Sequence, residues 1–250
     1  MGDLLIPAAA LAAALLFARG WSRLRRRGGR GDAGFDRLAL YAAGVLVALF
    51  ATLVLHGHVD DRASTHMLQH VLLGDLAPAL VLVALRGRLL HAVLPKPFRR
   101  LFAHRAVRAL VRPLPSLALW AGLLWVWHVP PVYDAALAHE PLHALEHASF
   151  VVGGFLLWNQ LVDPARRRAL SLWGSLGYAL VAMLAAQMLV LVLVLSYRPL
   201  YVYGDAADQG LAGLIMALEQ FLTLGTFAYV RLRGHFREPL VLSEGHPLRV

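Results

Sequence analysis

Long apolar runs alternate with polar segments along the whole chain, and this pattern predicts an all-helical membrane protein. Seven runs approach or reach the roughly 20 residues that an α-helix needs to cross a bilayer. The segments between them carry arginine, glycine and proline, which are typical of loops. The predicted spans cover residues 3–19, 37–56, 66–85, 114–129, 142–161, 172–196 and 211–231.

The composition agrees with one polytopic helix bundle and no separate soluble domain. Of the 250 residues, 59% are hydrophobic and only 16% are charged, whereas about a quarter of the residues in a soluble domain are charged. We therefore predict a single seven-helix transmembrane domain over residues 1–250. The chain has no cysteine, which excludes disulfides and thiolate metal ligands.

The first apolar run is expected to remain in the protein as a helix. A secretory signal carries its positive residues before the apolar core. Here the letters MGDLLIP precede the core and the arginines follow it.

Lysine and arginine lie almost wholly on alternate loops. Of the 24 such residues, seven lie in 19–37, eight in 86–112, three in 165–168 and four from Arg231 onward, while Arg62 and Arg198 lie on the other loops. The positive-inside rule makes the basic loops cytoplasmic, so the N-terminus is predicted outside and the C-terminus inside. Topology then explains the net charge of +9, and we predict a lipid bilayer rather than nucleic acid as the partner of these residues.

The loop over residues 86–112 is long and contains the letters FRRLFAHRAVRALV. Its apolar residues recur at helical spacing with cations between them. This pattern predicts an amphipathic cytoplasmic helix on the anionic leaflet of the membrane.

Eight of the twelve histidines fall at or near the outer ends of the predicted spans. A histidine costs free energy in hydrocarbon and tends to face the interior of a bundle. Two pairs are spaced by four residues, one at the start of the third span and one at the start of the fifth, so each pair shares one helix face. The eight are His56, His58, His66, His70, His128, His139, His143 and His147.

Two such pairs at one depth can supply four imidazoles to a single metal ion. Imidazole suits Cu, Zn, Ni and Fe, and a thioether such as that of Met67 favours Cu(I). Glu146 can serve as a carboxylate ligand or as an acceptor for a ligating histidine. Helix packing would explain either pair taken alone. The predicted ligands are His66, His70, His143 and His147, with Met67, His128 and Glu146 next.

Two carboxylates lie in the middle of predicted spans, Asp75 in the third and Glu219 in the seventh. A charge at the bilayer centre is costly, so each should be paired, protonated or functional. Together with neighbouring polar and thioether side chains they predict an intramembrane path for a cation or a proton. Interhelical hydrogen bonding would explain the same residues. The predicted path contains Asp75, Met183, Gln187, Met216 and Glu219.

Four blocks of sequence, in order, resemble the multi-span CtaG proteins, which are cytochrome c oxidase assembly factors mostly of Gram-positive bacteria. The blocks are HMLQHVLLGDLAP, WHVPPVYDAAL, LHALEHASFVVGGFLLW followed by DP, and DQGLAGLIM, and they span residues 60–220. The family pattern often has a second glycine where this chain has the letters LAG at 211–213, and Asp75 lies outside the pattern. The matching residues are His66, Met67, His70, His128, Pro130, Pro131, His143, Glu146, His147, Trp158, Asp208, Gln209, Gly213 and Met216.

The resemblance implies a copper-handling protein of the bacterial plasma membrane that helps to mature the copper centres of an oxidase. Its expected cargo is a copper ion, and its expected partners are an oxidase subunit or an extracellular copper chaperone. Ligand exchange needs no covalent catalysis, so we do not expect an enzyme. A membrane haem protein and a proton-coupled transporter without metal are the alternatives. A retinal receptor is disfavoured, because the one lysine, Lys96, lies in a loop.

Overall fold

The computed structural model describes residues 4–55, 62–166 and 170–244, with side chains up to residue 236, and these residues form helices joined by turns. A π-helical turn (Leu72–Leu76) joins α3 to α4 without a break, so that the two form one rod. The helices are α1 (Leu5–Arg26), α2 (Phe35–Leu53), α3 (Ala63–Val71), α4 (Ala77–Ala84), α5 (Arg88–Val93), α6 (Lys96–Ala103), α7 (Arg105–Leu110), α8 (Pro113–Trp127), α9 (Pro130–Ala138), α10 (Glu140–Val162), α11 (Leu172–Leu195) and α12 (Ala206–Glu244).

Each of the seven predicted spans is helical over most of its described residues. Five helices of the described chain are long and apolar enough to cross a membrane, namely α1, α2, the α3–α4 rod, α11 and α12. Helix α8 is apolar but has only 15 residues, and the 23 residues of α10 include histidines and a glutamate in their first half. The chain is therefore a helical membrane protein, while seven crossings and the orientation of the termini stay predictions.

The amphipathic segment at 86–112 is helical, but the run FRRLFAHRAVRALV, predicted as one helix, is divided between α6 and α7. The structure divides the segment into α5, α6 and α7. Pro95 begins α6 with an extended backbone, and His104 interrupts it with ψ of 141°. Helix α6 nevertheless leaves its apolar side chains exposed, with Phe98 and Leu101 each about half accessible.

The α3–α4 rod is the central helix of the bundle. In its apolar stretch 67% of the residues are buried, against 39% or less in the other four candidate spans. Helix α12 packs against α3, α2 packs against α4, and α10 packs along the π turn and α4. A second hydrophobic core joins α1, α2 and α5 beside the end of the rod.

The π turn coincides with a proline in the rod. Pro78 has no N–H to donate to the carbonyl of Gly74 four residues earlier, and its ring crowds that carbonyl. In the π turn the N–H of Ala77 bonds instead to the carbonyl of Leu72, five residues back. This wider turn keeps the rod continuous past the proline and adds one residue to it.

Two glycines let α10 approach the rod at backbone contact. A Cβ atom built on Gly154 would overlap the carbonyl oxygen of Gly74 and lie 3.0 Å from the ring of Pro78. A Cβ atom on Gly74 would lie 3.2 Å from that of Phe150. Any larger residue at position 154 must therefore push the two helices apart.

The basic loops come together at one end of the bundle. The guanidinium of Arg37, at the start of α2, donates to the carbonyl of Arg86 at 2.7 Å, just beyond α4. The N–H of Gly87 donates to the carbonyl of Pro164 at 2.9 Å, after α10. Arg231 on α12 donates to the carbonyl of Leu170 at 3.3 Å, before α11.

The opposite end carries the other set of loops. The Ser64 hydroxyl, at the start of α3, donates to Asp208 at the start of α12. The N–H of Val202 donates to Asp134 on α9 at 3.1 Å. The loops that alternate along the sequence thus lie at two ends of the bundle, the basic loops at one end and the other loops at the opposite end.

The close approach at Gly154 is testable by substitution. We expect Gly154→Ala to lower the melting temperature of the purified protein, because overpacking a tight contact costs about 1–3 kcal/mol. Gly177→Ala is the matched control, since nothing lies within 4 Å of a Cβ atom at that position of α11. Thermal unfolding in one detergent measures both, and equal melting temperatures for the two variants would contradict this account of the contact.

Candidate metal centre

Five imidazoles and one carboxylate gather inside the bundle at the end opposite the basic loops. Two histidines come from α3, two histidines and the glutamate come from α10, and one histidine follows the last residue of α8. All six side chains are at least 94% buried, and two of them are fully buried. The six, which we call the histidine cluster, are His66, His70, His128, His143, Glu146 and His147.

Four members of the histidine cluster have the spacing of a single coordination sphere. One ligand atom from each of His66, His70, Glu146 and His147 lies within 4.8 Å of all the others. The two Glu146 oxygens lie 3.7 Å from Nε2 of His66 and 3.5 Å from Nε2 of His70. This set could hold a metal ion, and it contains Glu146 where the sequence predicted His143 among the four core ligands.

The contact between Gly74 and Gly154 explains why the histidines of α3 and α10 meet, because they lie at helical spacing from these glycines. His66 and His70 precede Gly74 by eight and four residues, and His143 and His147 precede Gly154 by eleven and seven. All of these intervals return to the same face of an α-helix. The two histidine pairs therefore face each other because the two glycines do.

The remaining two histidines lie on either side of the four-ligand group. Nε2 of His143 is 3.2 Å from Nε2 of His66, and its ring is 4.2 Å from that of His147. The ring of His128 is 6.3 Å from that of His70. The four-ligand group, with one imidazole on each side, has more donors than one ion uses.

Tyr133 on α9 holds one ligand in orientation. Its hydroxyl is 3.0 Å from Nδ1 of His66, and its ring stacks on Tyr201 at 3.9 Å. Burial raises the pKa of Tyr133 well above its usual value, so the hydroxyl stays neutral. If Nε2 of His66 binds a metal, Nδ1 carries the hydrogen and donates it to this oxygen, as ligating histidines commonly do.

Met67, a predicted ligand, and the other histidines near the outer ends of the spans have different surroundings. Met67 is one residue from His66, which turns it about 100° around the helix, and it is buried in the hydrophobic core. His139 is exposed at the start of α10. His56 and His58, together with the neighbouring Asp60 and Asp61, lie outside the described residues.

The mid-span carboxylates form a second polar centre. Asp75, in the π turn, accepts from the indole N–H of Trp158 and, at 3.4 Å, from the hydroxyl of Thr223. Glu219 is within hydrogen-bonding reach of both Asp75 and Thr223. A hydrogen bond between two carboxyl groups requires a proton on one of them, because a carboxylate only accepts.

The rest of the predicted path does not join this pair through described hydrogen bonds. Met216 is buried in the hydrophobic core and Met183 is packed against it. Nε2 of Gln187 has no hydrogen-bond partner among the described residues. The structure thus brings together two members of the predicted path, Asp75 and Glu219.

Sequence reasoning assigned no role to three residues that complete these centres. Tyr133 and Trp158 lie in blocks that carry the family resemblance, and their aromatic rings with a polar atom were a usable signal. Thr223 follows Glu219 by four residues, so the two share a helix face. The sequence does not give the rotation of each helix about its axis, and this rotation decides which polar side chain each of these residues contacts.

Comparison with known proteins agrees with the resemblance found in the sequence. Two curated relatives are each 26% identical over 180 residues: the uncharacterized protein Mb0105 of Mycobacterium bovis (strain ATCC BAA-935 / AF2122/97) and the uncharacterized protein MT0111 of Mycobacterium tuberculosis (strain CDC 1551 / Oshkosh). The alignment covers 66% of this chain and 27% of each relative, so the chain spans about a quarter of their length. No solved structure matches the chain.

The family profile of the cytochrome c oxidase caa3 assembly factor (Caa3_CtaG) matches residues 15–238. This range contains the histidine cluster and both mid-span carboxylates. The chain therefore belongs to the cytochrome c oxidase caa3 assembly factor family.

Proposed function

We propose that this protein handles copper for the assembly of the copper centres of cytochrome c oxidase. The observation that carries the proposal is the buried group of His66, His70, Glu146 and His147, whose ligand atoms lie within 4.8 Å of one another. Such a group has the ligand types that bind copper. The proposed cargo is a copper ion, and the proposed partner is an oxidase subunit or an extracellular copper chaperone.

The charge of the group suits a monovalent copper ion. Neutral imidazoles bring no charge, and one carboxylate balances one positive charge, which matters because unbalanced charge is costly inside a bundle. Imidazole ligands bind Zn as well as Cu, so the choice of copper rests on the family. The proposed chemistry is exchange of ligands around the ion, without covalent catalysis.

The geometry of the histidine cluster weighs against the haem alternative. Haem iron takes its axial ligands from the two sides of a flat macrocycle. Nε2 of His66 and Nε2 of His143 are 3.2 Å apart, which leaves no room for a macrocycle between these rings. An absorption spectrum of the purified protein without a Soret band is the expected result.

We also propose seven crossings of the bacterial plasma membrane, with the N-terminus outside and the C-terminus in the cytoplasm. The grouping of the basic loops at one end of the bundle supports this orientation, because Arg-rich loops stay cytoplasmic. The histidine cluster then lies toward the outer side, where copper would be delivered to an oxidase.

The carboxyl pair favours a second candidate function, transport coupled to protons. Trp158 and Thr223 both donate to Asp75, so Asp75 is suited to be the carboxylate and Glu219 the protonated acid. Glu219 Oε1 is buried without a hydrogen bond to any described residue. A pair that exchanges a proton inside a bundle could couple proton movement to movement of a cation.

Removing two central ligands should abolish copper binding. We expect purified wild-type protein to retain copper after gel filtration and His66→Ala combined with His147→Ala to lose it, because two of four ligands are gone. The matched control is His104→Ala combined with His139→Ala, which removes two exposed histidines. Atomic absorption measures the copper, and equal copper in the two double variants would refute the ligand assignment.

The same double variants test the role in assembly. In a strain lacking the protein and grown with limiting copper, we expect the control variant to restore oxidase activity. The variant without His66 and His147 should not restore it, although membrane fractions contain it in equal amount. Normal oxidase activity in the deletion strain itself would favour the transport candidate over copper delivery.

The orientation is testable because the chain has no native cysteine. We expect Tyr197→Cys to react with a membrane-impermeant maleimide in intact cells, since this side chain is 98% exposed on a loop without a basic cluster. Arg108→Cys, on α7, should react only after the membrane is permeabilised. The reverse pattern of labelling would invert the proposed orientation.

A protonated Glu219 should react with dicyclohexylcarbodiimide, an apolar reagent that couples to protonated carboxyl groups in membranes. Mass spectrometry is expected to find the adduct on Glu219 and to find it absent from Glu219→Gln. Asp205→Asn is the control, because Asp205 is exposed at the start of α12. An unlabelled Glu219 in folded wild-type protein would count against the proton site.

A further inference from the structure

The histidine cluster contains more donors than one copper ion can use. Protein sites for this class of metal commonly use four ligands, and four are already present in the group formed by His66, His70, Glu146 and His147. His128 lies outside that group on the side of His70. The contacts of His128 show whether its side chain packs the core or can bind a metal ion.

The tautomer of His128 is fixed by its own helix. Nδ1 lies 2.7 Å from the carbonyl oxygen of Leu124, four residues earlier. A carbonyl only accepts, so Nδ1 carries the hydrogen and, in the neutral ring, Nε2 is left with a lone pair. The residue is 5% exposed, and its Nε2 has no hydrogen-bond partner among the described residues.

A buried acceptor without a partner is costly, and such atoms in native structures call for an explanation. A role in packing alone does not supply one, since an apolar side chain would pack without this cost. An imidazole held in one tautomer, with its free lone pair inside a bundle, is instead prepared to bind a metal ion.

His70 is placed to share an ion with His128. Nε2 of His70 faces Glu146 at 3.5 Å, while its Nδ1 is buried without a hydrogen bond to any described residue. Metal–nitrogen distances of about 2 Å separate the nitrogens of two imidazoles on opposite sides of an ion by about 4 Å, and their ring centres by about 6 Å. The observed separation of the ring centres is 6.3 Å.

The surroundings of this second pair differ from those of the four-ligand group. Phe150 packs 4.5 Å from the ring of His70 and 6.3 Å from that of His128. An apolar wall limits water as a further ligand, and among the described residues no carboxylate forms an ion pair with His128. An ion held by the two imidazoles therefore has fewer ligands and less charge compensation than one held beside Glu146.

We propose that His70 and His128 form a second copper(I) station next to the four-ligand group. A neutral imidazole offers one lone pair, so His70 binds one ion at a time, and when both stations are filled the first ion is held by His66, Glu146 and His147. An ion that moves between the stations keeps its bond to His70 and exchanges its bonds to the other three residues for one bond to His128. Copper keeps its oxidation state. The second station binds more weakly than the first, which suits a step from which copper is passed on. This inference rests on the proposed copper-handling function.

Titration of the purified full-length protein with copper(I), without oxygen and with a competing chromophoric chelator, tests the proposal. Wild-type protein is expected to take up two equivalents, of which the second binds more weakly. His128→Gln should lose the second equivalent and keep the first, and His128→Leu should do the same. His139→Gln is the matched control, a change at an exposed histidine of the same end that should leave two equivalents.

The possible outcomes separate this inference from the function on which it rests. Uptake of one equivalent by wild-type protein, or of two by both His128 variants, overturns the second station and leaves copper handling intact. Absence of any copper uptake by folded wild-type protein overturns the proposed function itself. Gel filtration and thermal unfolding of each metal-free variant establish that it is folded. If one of the two His128 variants does not fold, the other still tests the proposal.

Discussion

The backbone contact between Gly74 and Gly154 is the constraint on which the other features of the bundle depend. At this point α10 lies against the central rod with no side chain between them, so the distance and relative rotation of the two helices are set by main-chain atoms. Side chains one to three turns above the contact on the same faces must then converge. These are the histidines of both helices, with Glu146 beside them. Apolar packing alone would allow the helices to slide, because lipid gives little preference for one helix contact over another.

Desolvation decides which polar groups such a bundle can keep. At the end with the basic loops, arginines donate to backbone carbonyl oxygens, as Arg37 and Arg231 show. The buried histidines and the mid-span carboxylates lie where several polar side chains meet, in the histidine cluster and around Asp75. Each centre also has an aromatic residue with a polar atom at its edge, Tyr133 in one and Trp158 in the other. Clustering lowers the cost of burial, since each polar group serves as another's partner.

The sequence predicted the helices and the meeting of the two histidine pairs, because both follow from periodicity and from the charge of the loops. It did not separate Met67 from His66, since adjacency in sequence says nothing about a rotation of about 100° around the axis. It also predicted one helix where α6 and α7 occur, because the spacing of apolar residues continues through His104 while the helical backbone does not. The partners of His66 and Asp75 depend on helices distant in sequence, and a periodic pattern contains no such information.

The π turn has a further consequence for how this chain can change over time. It inserts one residue between the histidines of α3 and the rest of the rod. The orientation of the two segments relative to each other therefore depends on the number of residues in the turn. A deletion of one residue between Leu72 and Leu76 would remove the extra residue of the π turn, and an α-helical turn in its place would have to kink at Pro78. Length in this short stretch is therefore constrained as well as the identity of Gly74, and relatives that keep Pro78 should tolerate substitutions among its leucines more readily than a single gap.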